Sequence, residues 1–111
     1  MRSGVWVMSK YGNIKTTTSD GITHDSIKEA NRWCELKLLE RAGFISDLRR
    51  QVKFELLPKQ GKLRAVHYIA DFVYIKDGKQ IVEDVKGFRT QEYKLKKRML
   101  LYFHGITIKE T

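Results

Sequence analysis

Cysteine and proline are nearly missing: one of each occurs in 111 residues. The lone thiol, Cys34, cannot close an intramolecular disulfide, and a cysteine-rich zinc site is excluded. Its apolar neighbours in a helical pattern predict a buried structural thiol. Long apolar runs are also missing. No stretch approaches the roughly 20 residues of a membrane-spanning helix, and the first residues lack the apolar core of a signal peptide. No membrane partner is expected, and a cytoplasmic protein fits best. The three histidines, His24, His67 and His104, are scattered without metal-ligand spacing. Acid is scarcer than base, with 13 Asp and Glu against 22 Lys and Arg, a net charge of +9. Such an excess points to a polyanion, most commonly nucleic acid, because Lys and Arg release counterions from phosphates.

What is present suits one folded domain. The hydrophobic fraction of 41% supports a packed core. Residues 1–24 are poorly periodic and read as an arm with room for a short strand or hairpin. Lys10, Tyr11 and Lys15 there mix cation and aromatic, which suits nucleic acid. The domain proper is expected over 25–111. A helix is predicted from about Ser26 to Ala42, since Ser26-Ile27-Lys28-Glu29 matches a capping box and Gly43 supplies the stop. Its apolar stripe is Ile27, Ala30, Cys34, Leu38 and Ala42, widened by Trp33, Leu36 and Leu39. Strands are predicted over Val52–Leu57, Ala65–Ile75 and Gln80–Val85. Thr90 can cap a second helix running to about Phe103, and Ile106–Lys109 reads as a final strand. The order α-β-β-β-α-β predicts the α/β class, specifically an α+β protein with a mixed sheet.

Asp77-Gly78 is a strong signal for a two-residue hairpin loop. That turn sets Val73 opposite Val82 and Asp71 opposite Asp84. Strict alternation adds Lys86, and the apolar Ile69, Val73 and Val82, to the same face; it adds His67 as well. Opposed carboxylates repel and raise a pKa unless something compensates. A divalent cation does so, and Mg²⁺ is commonly held by one or two carboxylates, water and phosphate. Asp71 and Asp84 are therefore the candidate metal ligands, with the Val85 carbonyl as a further oxygen. Lys86 is placed to orient the attacking water or stabilise charge on the phosphate. The competing reading is a surface ion-pair cluster. Glu83 alternates to the opposite face, across from Phe72. Glu29 has two open roles, a third acidic ligand or the reciprocal half of the capping box. Arg89, Lys94, Lys97 and Arg98 are the candidate phosphate contacts; Lys94, Lys97 and Arg98 share one helix face.

These residues resemble two groupings. The element order, with Ala70-Asp71-Phe72 and Asp84-Val85-Lys86, resembles the PD-(D/E)XK nuclease superfamily, although Ala70 stands where the name has proline. More closely, residues 10–109 resemble the DUF1064 group of small phage-borne proteins. The matching stretches include Gly21-Ile22-Thr23-His24-Asp25-Ser26, Glu35 to Gly43, Tyr68 to Tyr74 and Val82 to Phe88. The superfamily resemblance implies a restriction-endonuclease-like core over 25–111, Mg²⁺ or Mn²⁺ dependence, and a first-helix glutamate in the active centre, here Glu29. The expected activity is a DNA endonuclease, structure-selective in the manner of a Holliday-junction resolvase, in phage recombination, replication or packaging. Duplex or branched DNA is the expected partner. A symmetric substrate with two scissile strands favours a homodimer. The alternative from another class is a non-catalytic DNA-binding module on a nuclease scaffold.

Overall fold

The backbone of this computed structural model is described for residues 6–8, 14–85 and 89–111. It divides into two compact units, Met1–Phe44 and Ile45–Thr111.

In the first unit, strands β1 (Trp6–Met8), β2 (Ile14–Thr17) and β3 (Thr23–His24) form a small antiparallel sheet in that order. The segment read as an arm thus carries three short strands. Helix α1 (Ile27–Arg41) starts where the capping signal placed it: Ser26 Oγ accepts the Glu29 backbone N–H at 3.1 Å. Past its end, Gly43 takes φ +86°, and the Phe44 N–H returns to the Leu39 carbonyl.

The apolar stripe of α1 differs from expectation. Its buried residues are Glu29, Ala30, Trp33 and Leu36, while Ile27, Leu38 and Ala42 are exposed and Cys34 is half-buried. The face is centred on Trp33 for a polar reason. The indole N–H donates to Asp20 Oδ2 at 2.7 Å, and this fixes which side of α1 meets β2 and β3. A hydrophobicity stripe cannot register a tryptophan held by its one polar atom.

The second unit contains β4 (Ser46–Leu57), β5 (Val66–Lys76), β6 (Lys79–Asp84), α2 (Gln91–His104) and β7 (Ile108–Glu110). The sheet order is β4-β5-β6-β7. Neighbours are antiparallel except β6 and β7, which run parallel. A parallel step needs a crossover, and α2 provides it. With α1, the order α-β-β-β-α-β and the mixed-sheet α+β class are as read. Strand β4 begins six residues before the expected Val52. Ser46 to Gln51 show no apolar alternation, but pairing of Arg49 with Val73 and Arg50 with Phe72 draws them into the sheet. Strand β7 is shifted toward the C-terminus of its expected span because it follows its partners on β6.

The hairpin register is the predicted one. Val73 pairs with Val82 and Phe72 with Glu83, and Asp77 and Gly78 both have positive φ, +53° and +75°. Two consecutive left-handed residues make the type I′ turn that matches strand twist.

One expectation about faces fails. The core cluster joins Leu56, Tyr68, Ala70, Val73, Val82, Tyr93, Leu100 and Ile108. Tyr68 and Ala70 lie at even positions of β5 and Val73 at an odd one, so the alternation changes phase between them. Asp71 sits at the change. It is absent from the β4 ladder, which runs from Phe72 to Ala70, and Gln51 across from it has φ +53°. Ile69 is therefore 48% exposed rather than sharing the core face of Val73 and Val82, and the simple face argument for His67 falls with it.

Candidate active site

Asp71 and Asp84 come together where the β5–β6 ladder ends. Beyond the Phe72–Glu83 pair, carboxylates replace carbonyls as acceptors. The Asp71 N–H donates to Asp84 Oδ1 at 3.1 Å, and the Val85 N–H donates to Asp71 Oδ2 at 2.9 Å. Each aspartate thus anchors the other's strand. Asp84, two residues beyond the core residue Val82 on β6, is buried, while Asp71 stays half-buried.

A buried carboxylate requires hydrogen-bond donors. Tyr68 supplies one, its phenol donating to Asp84 Oδ2. Burial and the neighbouring Asp84 carboxylate push the Tyr68 phenol far above its ordinary range, with Asp71 adding to the effect. Tyr68 therefore remains a neutral donor at any working pH. It could not be found from the sequence, because strict alternation sends it to the wrong face.

Glu83 lies on the other face, as expected, fully buried, and accepts from the Tyr74 phenol at 2.7 Å. Glu29 lies in the first unit and is buried there. Its Oε2 accepts the Asp25 N–H at 3.0 Å and stands 3.7 Å from His24 Nδ1. The capping role is realised, one residue earlier than the Ser26 N–H a capping box would use. His24 is itself buried, with Nε2 3.4 Å from Thr18 Oγ1.

A second polar cluster surrounds Glu110, the β7 residue in register with Asp84. Arg89 grips its carboxylate through Nε and Nη2 at 3.0–3.1 Å, the Tyr93 phenol donates at 2.6 Å, and Lys97 Nζ lies at 3.3 Å. The Arg89 guanidinium, followed by Tyr93 and Lys97, holds the Glu110 carboxyl down to about 2. Two of the expected phosphate contacts are therefore engaged by an acid of the same chain. Lys94 and Arg98 are exposed, and with Lys97 they line one groove, as their helical spacing implied. Lys15 is exposed in the first unit. Lys10 and Lys86 lie outside the described residues.

The two carboxylates and the Val85 carbonyl are hard oxygen donors, the chemistry that Mg²⁺ and Mn²⁺ prefer. Among the described residues, no three or more His, Cys, Asp or Glu side chains form a group fit to hold a metal. A pair of carboxylates leaves coordination positions for water and phosphate, as Mg²⁺ sites commonly do. No helix among the described residues is long and apolar enough to cross a membrane.

Fold and site together define a small α+β protein with two aspartates braced at the end of a hairpin. The chain belongs to the family described as "Protein of unknown function (DUF1064)", whose model matches residues 8–109. No curated protein and no solved structure matches it.

Proposed function

We propose that this chain is a metal-dependent DNA endonuclease of the PD-(D/E)XK type. The observation that carries the reading is the pairing of Asp71 with Asp84 across β5 and β6, each fixed by a backbone N–H of the opposite strand. Asp71, Asp84 and the Val85 carbonyl would hold Mg²⁺ or Mn²⁺. Once bound, the ion supplies a water of lowered pKa and polarises the scissile phosphate. Tyr68 orients Asp84 and leaves its remaining lone pairs for the ion. Lys86, two residues beyond Asp84, is assigned to the phosphate charge. Glu29 keeps its capping role in this reading, with a catalytic one as the variant to test. The net charge of +9 supports a nucleic-acid substrate. A branched duplex such as a Holliday junction, cut by a homodimer during phage DNA metabolism, is the specific form proposed.

One observation favours a second reading, a non-catalytic DNA-binding module. The same hydrogen bonds that fix the aspartates are what a purely structural brace would make. Cleavage of junction, flap, single-stranded and linear duplex DNA, and of RNA, with Mg²⁺ or Mn²⁺ separates the two. Asp71→Ala and the near-isosteric Asp84→Asn are expected to abolish cleavage and leave DNA binding intact. Full activity in either variant sinks the site. Binding without cleavage of any substrate establishes the module.

A further inference from the structure

A groove of about 220 Å³ opens beside α2 in the second unit. Lys94, Lys97 and Arg98 form one side, and Leu101, Ile106 and Ile108 supply apolar surface. No acid lines it. Lys97 leans on Glu110 and Lys96 on Glu92, but among the described residues neither Lys94 nor Arg98 has an acidic partner. The groove thus offers two uncompensated cations over an apolar floor, which is complementary to a ligand with an anionic end and a flat apolar body. Its volume falls below the roughly 300–1,000 Å³ of pockets for drug-sized molecules, so the ligand unit is small.

The surface next to it narrows the chemistry. Tyr102 lies one helical turn beyond Arg98, is 83% exposed, and meets Phe103 edge-on with ring centroids 5.1 Å apart. An exposed ring beside cations is a stacking platform for bases. Leu101, in the groove, is also exposed. The cations, the exposed Leu101 and the open ring lie within about two turns of α2, and Ile106 and Ile108 extend the apolar surface beyond the helix. That places a phosphate contact beside a base contact, as one nucleotide of a single strand needs.

We propose that this groove seats one unpaired nucleotide of a single-stranded nucleic acid, its phosphate on Lys94 and Arg98 and its base on Leu101, Ile106 and Ile108. The inference rests on the nucleic-acid part of the proposed function and specifies a substrate with unpaired nucleotides, as a branch point or frayed end provides.

The test is binding of a short fluorescent oligothymidylate by anisotropy across a salt series. Leu101→Ser is expected to weaken binding about five-fold, from lost apolar contact, while leaving the salt slope unchanged. Lys94→Ala with Arg98→Ala is expected to flatten the log–log salt slope by about 0.7, one single-strand phosphate contact. Leu101 is exposed, so its variant keeps the fold, and circular dichroism checks this. Thymidine monophosphate should shift the methyl resonances of Ile106 and Ile108, and inorganic phosphate should not. Wild-type affinity in Leu101→Ser, or equal shifts from phosphate alone, overturns the groove. Cleavage together with wild-type affinity in Leu101→Ser overturns the groove and spares the nuclease. Loss of all cleavage with the binding results intact does the reverse.

Discussion

Asp84 is a carboxyl group placed in the enclosed interior of a small sheet, and the Tyr68 phenol and the Asp71 N–H are among the donors that make that tolerable. Tyr68→Phe removes one donor without changing shape. Its expected effect is a loss of about 1–3 kcal/mol in unfolding free energy, because a buried acceptor loses a partner. Urea denaturation checks this as a lower midpoint with an unchanged slope. A variant as stable as wild type would show that Asp84 gains nothing from the phenol. In the nuclease reading the same variant also loosens Asp84, so its effect on cleavage should exceed its effect on DNA binding.

At the scale of elements, the turns and caps were the most legible features. Asp77-Gly78 announced a two-residue loop, and the loop alone set Val73 against Val82 and brought Asp71 to Asp84. Thr90 announced α2, and its Oγ1 accepts the Tyr93 N–H at 3.0 Å. Thr90→Ala is expected to cost about 1 kcal/mol, read as a lower thermal midpoint, because one N-terminal N–H of α2 loses its acceptor. The illegible features were those set by long-range polar contacts. Asp20 selects the Trp33 side of α1 from outside the helix, and no period within α1 encodes that. Gln51, on another strand, accompanies the phase change at Asp71, so a reading of β5 by itself assigned Ile69 to the core and missed Tyr68. Strand β4 was extended over polar residues by the apolar strand it pairs with.

For the whole molecule, the acids are few, and Glu110 is one that ties several elements together. Glu110 binds the last strand to α2 through Tyr93 and Lys97, and to Arg89 before the helix. Its folded-state carboxyl titrates at about 2, below the ordinary 4.5. A lowered folded value means that the charged form stabilises the fold. The contribution is complete above pH 4.5 and disappears as the pH falls through about 2. Glu110→Gln should accordingly be less stable than wild type near neutrality, and the gap in urea midpoint should close across that acid window. A gap independent of pH would show that the charge of Glu110 holds nothing.

The phase change at Asp71 also sets how water meets the sheet. Before it, β5 has one dry side, and Ile69 looks outward; after it, Phe72, Val73 and Tyr74 are covered on both sides. The two aspartates stand on this shoreline. Asp84 is on the dry side, and Asp71 is half in reach of solvent. In the proposed reading, a hydrated ion arriving from the open side would meet Asp71 first and would shed more of its shell to reach the buried Asp84.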